Sequence, residues 1–286
     1  MRVNLIVNLY RQDAIRAAKA TADWLTTRGI EVGSDREGST ALGVQAHSPD
    51  QLASADLMMT FGGDGTLMRA AHLCAQSGTP ILGVFYGRFG FVTQVKPEET
   101  GAALSQFIDG QSTIVDRMMV QTDLIREDRT VATLHSLNEA AVQRSATTRM
   151  LTFDTRVNGR PLSRYPADGI MVSTPTGSTA YALSAGGPVI DPTMECILLT
   201  AIMPHTLSSR PLVLSPQTVI EIRVETRGDA VFSCDGQSRL HMLSGDLVRV
   251  TKSPRKTRLV CVDDGDFLDK LSQRLQWSQG RKEEPY

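Results

Sequence analysis

The sequence has few cysteines, no excess of either charge and no long hydrophobic run, and each shortage excludes a class of protein. Its 286 residues include four cysteines that lie far apart without a Cys-x-x-Cys pair, which argues against a zinc site or a disulfide framework. Lysine and arginine number 30 and aspartate and glutamate 31, so a net charge of −1 creates no field for nucleic acid or an anionic membrane. We therefore expect small molecules and further copies of the chain as partners.

The hydrophobic residues are spread along the chain rather than collected into a membrane-spanning run. Residues 1–7 are too short and too interrupted to form a signal peptide. The isolated cysteines are typical of small core residues in a reducing compartment. We expect a cytoplasmic protein that does not enter a membrane.

What the chain does have is enough hydrophobic sequence for two domains, and the first part of it alternates strands with helices. The predicted strands are short apolar runs at residues 3–7, 55–61 and 80–85. The predicted helices carry apolar side chains at helical spacing and cover residues 14–28, 67–74 and 97–108. Asp13 is the expected N-cap of the first helix, which Gly29 ends. This alternation favours a Rossmann-like parallel α/β domain over residues 1–116.

The pattern changes near residue 116, after which the chain is mostly β. Predicted strands cover residues 118–125, 130–137, 150–157, 169–173, 218–224, 230–234, 247–251 and 257–262. Asn158-Gly159 is a strong hairpin signal at the end of one of them. We expect a β-rich, β-sandwich-like domain over residues 117–262. Residues 263–286 are expected to form a final amphipathic helix that packs back on the first domain, followed by a polar tail.

The most informative segment is a glycine turn at residues 62–66, where a buried strand ends in Gly-Gly-Asp-Gly-Thr. Glycine lets the backbone turn tightly and lets a large anion approach its N–H groups, and the following helix adds a partial positive charge. The turn is therefore a candidate phosphate site. In the alternative interpretation it is an ordinary β-to-α connection, in which Asp64 only caps the helix.

A second candidate is the hydroxyl-rich segment, residues 173–184, which follows a strand that begins at Asp168-Gly169. Short hydroxyl side chains at a loop that enters a helix suit a polyhydroxylated or amide-bearing ligand, and Tyr181 offers an apolar face to a ring. The alternative is a Ser/Thr-rich turn in which Ser178 or Thr179 caps a helix.

Taken together, these segments resemble the NAD kinase family. Besides the glycine turn and the hydroxyl-rich segment, the resemblance rests on Gly87-x-x-Gly90-Phe91, Asn138-Glu139 and Asp235-Gly236-Gln237, all in the order of the family. It covers residues 1 to about 275. The hydroxyl-rich segment makes it specific, because lipid kinases and phosphofructokinases share the glycine turn and lack that segment.

The resemblance implies Mg²⁺-dependent transfer of a phosphoryl group from ATP, or from polyphosphate in some members, to the 2′-hydroxyl of the adenosine ribose of NAD, which gives NADP. Asp64 would orient that hydroxyl and accept its proton. The chain has no P-loop lysine, and the metal would be held mainly by the phosphates. The implied phosphate-binding residues are Gly62, Gly63, Gly65 and Thr66. The implied NAD-binding residues are Asp64, Gly65, Phe91, Asn138, Glu139, Asp168, Thr176, Thr179, Ala180, Tyr181 and Ser184.

Some features of the chain depart from the family or leave other functions open. Phe85 replaces a residue that is often polar, and Phe89 replaces a frequent leucine between the two glycines. Members of the family commonly form dimers and tetramers through the β-rich domain, so we expect a homodimer or homotetramer. The alternative functions are a lipid kinase that uses the same glycine turn and a non-catalytic sensor of NAD or NADP.

Overall fold

A computed structural model describes residues 1–86, 90–92, 95–145, 150–226, 228–261 and 267–275. The chain divides into two compact units. The first comprises Met1–Asp116 and the described part of Arg258–Tyr286, and the second comprises Arg117–Thr257. Gly87, Phe89 and the predicted polar tail lie outside the described residues.

The first unit is built from strands and helices in alternation. In chain order it contains β1 (Arg2–Val7), α1 (Gln12–Thr26), β2 (Glu31–Ser34), α2 (Arg36–Leu42), β3 (Gln45–Ala46), α3 (Pro49–Ala53), β4 (Leu57–Gly62), α4 (Asp64–Cys74), β5 (Ile81–Phe85), a 3-10 turn (Pro97–Glu99) and α5 (Thr100–Ile108). The strands pair in parallel in the order β5-β4-β1-β2-β3. Because the carboxyl ends of parallel strands share one edge, the loops after β1, β2, β4 and β5 all leave from that edge.

Helix α1 shows how the apolar spacing of the sequence produces this unit. Its apolar stripe is buried, and the stripe consists of Ala14, Ala18, Ala22 and Leu25. The helix is followed by Gly29 at φ 72°, a left-handed conformation that glycine adopts without cost. The expected N-cap was wrong. Arg11 holds that position without a side-chain cap bond, and Asp13 lies inside the helix, where the Arg11 guanidinium binds its carboxylate at 2.6 and 3.0 Å.

The rest of the chain is mostly antiparallel β-structure. It contains β6 (Thr113–Arg126), β7 (Arg129–Ser136), β8 (Glu139–Arg144), β9 (Leu151–Val157), β10 (Arg160–Ser173), a 3-10 turn (Thr176–Thr179), α6 (Tyr181–Ser184), β11 (Ile197–Pro204), β12 (Leu212–Leu214), β13 (Ile220–Glu225), β14 (Ala230–Cys234), β15 (Ser238–Met242), β16 (Leu247–Cys261) and α7 (Phe267–Leu275). Antiparallel pairing joins β15-β14-β8-β10-β9-β13-β16, and β11 adds to β10. Its hydrophobic core includes Phe153 and Phe232, which are both fully buried.

The predicted architecture, a parallel α/β region followed by β-rich structure, is confirmed. The hairpin is confirmed too: Asn158 and Gly159 take φ values of 50° and 76° between β9 and β10. The last two predicted strands are one continuous strand, β16, in which Leu259 pairs with Ile81 in the first unit's sheet. Among the described residues, no helix combines the length and the apolarity needed to cross a membrane.

Candidate active site

The glycine turn connects β4 directly to α4. The close backbone path depends on Gly62, because a Cβ at this position would lie 2.2 Å from Thr66 Oγ1 and 2.8 Å from Thr66 Cβ. Gly63 is the N-cap residue, and Thr66 is buried in the first turn of the helix. The turn therefore presents backbone N–H groups and the positive end of an eleven-residue helix, which is an arrangement suited to phosphate.

The carboxylate of Asp64 is fixed by a neighbouring backbone segment. Oδ2 accepts a hydrogen bond from the amide of Phe91 at 3.0 Å, and Oδ1 accepts a longer one from the amide of Val92 at 3.4 Å. The N-cap of α4 is Gly63 and Asp64 is the first helical residue, so the interpretation of Asp64 as the helix N-cap is wrong. The chain passes so close that a Cβ on Gly90 would lie 2.0 Å from Asp64 Oδ1. This geometry holds a carboxylate at the mouth of the glycine turn.

A second group of predicted residues meets in the other unit, where Asn138 and Glu139 lie at the start of β8. The side chain of Thr174 donates a hydrogen bond to Leu137 O at 2.5 Å, and its backbone N–H donates to Asn138 O at 2.9 Å. Gly177, inside the hydroxyl-rich segment, lies directly on this carbonyl, since a Cβ there would be 2.1 Å from Asn138 O. The structure thus brings Asn138 and Glu139 together with the turn at Thr176–Thr179.

Two buried polar atoms in this group have no hydrogen-bond partner among the described residues. They are Asn138 Oδ1 and Glu139 Oε2, and Glu139 as a whole is only 8% exposed. Burial, with a smaller contribution from the charge of Asp235, raises the pKa of Glu139 from 4.5 to about 8. A buried polar atom without a partner costs free energy, so both atoms are suited to hydrogen bonds with a ligand.

The raised pKa of Glu139 predicts a measurable pH dependence of stability. Between pH 4.5 and about 8 the unfolded chain releases this proton and the folded chain keeps it, so rising pH lowers the free energy of unfolding. The contribution is up to about 1.4 kcal/mol per pH unit. We expect Glu139→Gln to remove it, so that the variant gains stability relative to the wild type as pH rises from 5 to 8. Urea unfolding at several pH values measures this, and parallel curves for the two proteins would contradict it.

Two hydroxyls of the hydroxyl-rich segment bind backbone groups in and beside its turn. The Ser178 hydroxyl accepts from Ile190 N at 3.0 Å and donates to Ile190 O, and the Thr179 hydroxyl donates to Thr176 O. The idea that Ser178 or Thr179 caps a helix is therefore wrong, and the helix N-caps are Pro175 and Ala180 without side-chain cap bonds. Tyr181 begins α6 with its side chain 38% exposed, so its ring is available to a ligand.

The structure does not group Asp168 with Asn138 and Glu139. Its carboxylate forms a two-point ion pair across the strands with Arg144, at 2.7 Å from Nε and 3.3 Å from Nη2, and this pairing raises the pKa of Arg144. Glu139 lies opposite Ser173 on β10, five residues further along the strand from Asp168. At about 3.3 Å per residue this amounts to roughly 16 Å.

The other residues predicted to bind NAD lie in or beside the helices α4 and α6 and the segment that contacts Asp64. Ala180 is half-buried before α6, Ser184 is exposed at its end, and Thr176 is buried. Gly65 is exposed in the first turn of α4, and Phe91 is half-buried beside Asp64. The predicted residues thus form a group in each unit, with Asp168 apart from the group in its own unit.

Sequence reasoning missed the residues that hold these groups in place. Gly90 is part of the Gly87-x-x-Gly90-Phe91 motif, but its contact with Asp64 depends on the path of the chain after β5, which the motif does not specify. The pairing of Arg144 with Asp168 depends on the antiparallel register of two strands. The role of Thr174 is signalled only by its place before the turn, since its hydroxyl also accepts from Gly177 N three residues on.

Comparison with known proteins identifies the family. Residues 3–112 match the ATP-NAD kinase N-terminal domain and residues 137–262 match the ATP-NAD kinase C-terminal domain. The NAD kinase of Desulforamulus reducens is 38% identical over 97% of this chain and 98% of its own length. The NAD kinase of Citrifermentans bemidjiense is 36% identical over 97% of this chain and 99% of its own.

Solved structures show the same fold. Yeast NADH kinase complexed with NADH superposes with a TM-score of 0.93 at 22% identity, covering 100% of this chain and 90% of that chain. An NAD kinase from Archaeoglobus fulgidus in complex with ATP has a TM-score of 0.77 at 25% identity, over 96% of this chain and 99% of that chain. From these matches, the chain belongs to the ATP-NAD kinase family.

Proposed function

We propose that this protein is an NAD kinase that transfers the γ-phosphoryl group of ATP to the 2′-hydroxyl of the adenosine ribose of NAD, giving NADP and ADP. Family membership and the relatives named NAD kinase support the reaction. The observation that carries the proposal is the position of the Asp64 carboxylate. Asp64 lies at the N-terminus of α4 beside the glycine turn, and the backbone amides of Phe91 and Val92 fix its carboxylate.

The chemistry asks for positioning more than for covalent catalysis. The backbone of Gly62, Gly63 and Gly65, with Thr66, would hold the polyphosphate through N–H groups and the helix dipole. Asp64 would align the 2′-hydroxyl and accept its proton as the new oxygen–phosphorus bond forms and the bond to the bridging oxygen of ADP breaks. The amides of Phe91 and Val92 keep the carboxylate from turning away.

The metal in this proposal is Mg²⁺, which the phosphates of ATP would coordinate. Within the described ranges, no three histidine, cysteine, aspartate or glutamate side chains are grouped so that they could hold a metal ion. Phosphate oxygens with few protein ligands are a usual environment for Mg²⁺ in phosphoryl transfer. When bound, the ion would neutralise charge on the phosphates of ATP.

The second group of residues would bind NAD. The unpartnered atoms Asn138 Oδ1 and Glu139 Oε2 are suited to a ribose diol or a base edge, and a protonated Glu139 can also donate a hydrogen bond. Tyr181 would stack on a ring. The remaining residues of the proposed NAD site are Gly65, Phe91, Asp168, Thr176, Thr179, Ala180 and Ser184.

Tyr181→Ala tests the assignment of the hydroxyl-rich segment to NAD. We expect about a tenfold increase in the KM for NAD, because the lost stacking is worth roughly 1–1.5 kcal/mol, and little change in the KM for ATP. Tyr181→Phe keeps the ring and is the matched control, so it should stay near the wild type. An equal rise in both KM values would remove the segment from the NAD site.

The activity itself is tested with purified protein, Mg²⁺ and γ-labelled ATP or polyphosphate, each paired with NAD, NADH or diacylglycerol vesicles. We expect the label in NADP when ATP and NAD are supplied, with Mg²⁺ required. Label only in lipid would establish a lipid kinase instead. Tight NAD binding with no transfer from either donor would indicate a sensor.

We further propose that the protein works in the cytoplasm as a homodimer or homotetramer. Its Cys74, Cys196 and Cys234 are buried free thiols, as expected in a reducing compartment. Around the ends of β11 and β12, Met203, Leu207 and Val213 are 70%, 96% and 51% exposed, and burial against another copy would remove this apolar surface from water. Light scattering of the purified protein measures the number of subunits, and a monomer at all concentrations would reject the assembly.

A further inference from the structure

One carboxylate in the second unit accepts hydrogen bonds from successive backbone amides. Asp235 Oδ1 accepts from Asn138 N at 2.8 Å and Glu139 N at 2.9 Å, and Oδ2 accepts from Leu137 N at 2.8 Å. In return, Asp235 N donates to Glu139 O at 2.9 Å. We call the three residues Leu137, Asn138 and Glu139 the amide segment. Their N–H groups converge on one anion, which is the geometry of a backbone nest.

The position of Asp235 is set by strand pairing and by a left-handed turn. Cys234 pairs with Ala140, so the residue after β14 arrives beside the start of β8. Asp235 and Gly236 take φ values of 49° and 67°, and aspartate tolerates this conformation better than most side chains. The unfavourable backbone conformation of Asp235 is therefore offset by the hydrogen bonds that it permits.

The amide segment is held from its carbonyl side as well. The hydroxyl and the backbone N–H of Thr174 donate hydrogen bonds to the carbonyls of Leu137 and Asn138, and Gly177 lies in contact with the carbonyl of Asn138. With N–H groups bound on one side and C=O groups on the other, the backbone has little freedom to turn. The backbone thus fixes the Cα–Cβ directions of Asn138 and Glu139, whose side chains carry the two unpartnered atoms.

We propose, on the basis of the proposed function, that Asp235 is a positioning residue for NAD, because it fixes the amide segment so that Asn138 and Glu139 are aimed at the dinucleotide. Asp235 acts through these two residues and need not touch NAD itself. This role accounts for the Asp235-Gly236 pair, because its left-handed turn brings the Asp235 carboxylate to three backbone amides.

The test compares Asp235→Ala and Asp235→Asn with Asp229→Asn, an exposed carboxylate before β14 that pairs with His241. Calorimetry measures NAD affinity, and steady-state kinetics measures both KM values and kcat. We expect Asp235→Ala to weaken NAD binding by about tenfold or more, since several charge-assisted hydrogen bonds are lost, with the KM for ATP nearly unchanged. Asp235→Asn keeps an acceptor at Oδ1 and should fall between Asp235→Ala and the wild type. The control should match the wild type.

Hydrogen exchange of the amide segment provides a readout that does not depend on activity. We expect Asp235→Asn to speed exchange at residues 137–139 relative to Asp229→Asn. The proposal would be overturned if Asp235→Asn left NAD affinity and hydrogen exchange unchanged, or if NAD and ATP binding were weakened equally. A wild-type protein that binds no NAD would also overturn it. A wild type that binds NAD but does not phosphorylate it would reject only the proposed function, because the calorimetric comparison still holds. If Asp235→Ala fails to fold, Asp235→Asn decides the outcome.

Discussion

Asp64→Asn is expected to lower kcat for NADP formation by about 10²–10⁴-fold while NAD binds nearly as tightly as to the wild type. The amide cannot accept the proton of the 2′-hydroxyl. It can keep the shorter hydrogen bond, because its oxygen still accepts from Phe91 N, which lies 3.0 Å from the carboxylate. The loss should therefore appear in the chemical step rather than in the fold.

Single-turnover kinetics with saturating NAD and ATP, together with calorimetry of NAD binding, separates these effects. Asp109→Asn is the matched control, since it replaces an exposed carboxylate at the end of α5. If Asp64→Asn removed NAD binding and left the rate per bound complex unchanged, Asp64 would be a binding residue and not the base.

Gly90→Ala is expected to lower kcat by about 100-fold, although Asp64 itself is not substituted. A Cβ at residue 90 would lie 2.0 Å from Asp64 Oδ1, whereas real Cβ contacts essentially never fall below 3.0 Å. The carboxylate or the backbone at residues 90–92 must therefore move by about 1 Å, and a displacement of that size at a reacting group costs about 10² in rate.

Gly101→Ala is the control for Gly90→Ala, because a Cβ at this helical position in α5 meets nothing within 4 Å. It should leave kcat unchanged and slightly stabilise the helix, where alanine is preferred to glycine. A Gly90→Ala enzyme with wild-type kcat would show that the observed position of the Asp64 carboxylate does not matter for catalysis. Thermal unfolding of both variants distinguishes a local displacement from a general loss of structure.

The fold followed from the sequence where local pattern and tertiary structure agree. The buried strand at Leu57–Gly62 and the helix after it are plain in the apolar spacing. The pattern failed where polar residues interrupt a strand: Lys252 and an exposed Pro254 divide β16 in sequence, but the strand continues through them. Short elements were also missed, although Ser48 and Gln51 form a capping box around α3 that the sequence displays.

The site was predictable only in its local parts. The glycine turn and Asp64 are contiguous, so their geometry follows from one strand, one turn and one helix. The partners of Asp64 are 27 and 28 residues away, and those of Asp235 are 96 to 98 residues away. Such contacts depend on strand register and loop path, which a single sequence does not specify.

A crystal structure of the protein with bound NAD examines the proposed mechanism most directly. The deciding quantity is the distance from the nearer Asp64 carboxylate oxygen to the 2′-oxygen of the adenosine ribose. We expect about 2.6–3.2 Å, the range in which a general base accepts a proton. A different hydroxyl nearest to Asp64, or a carboxylate turned away from the ribose in every copy, would contradict the mechanism.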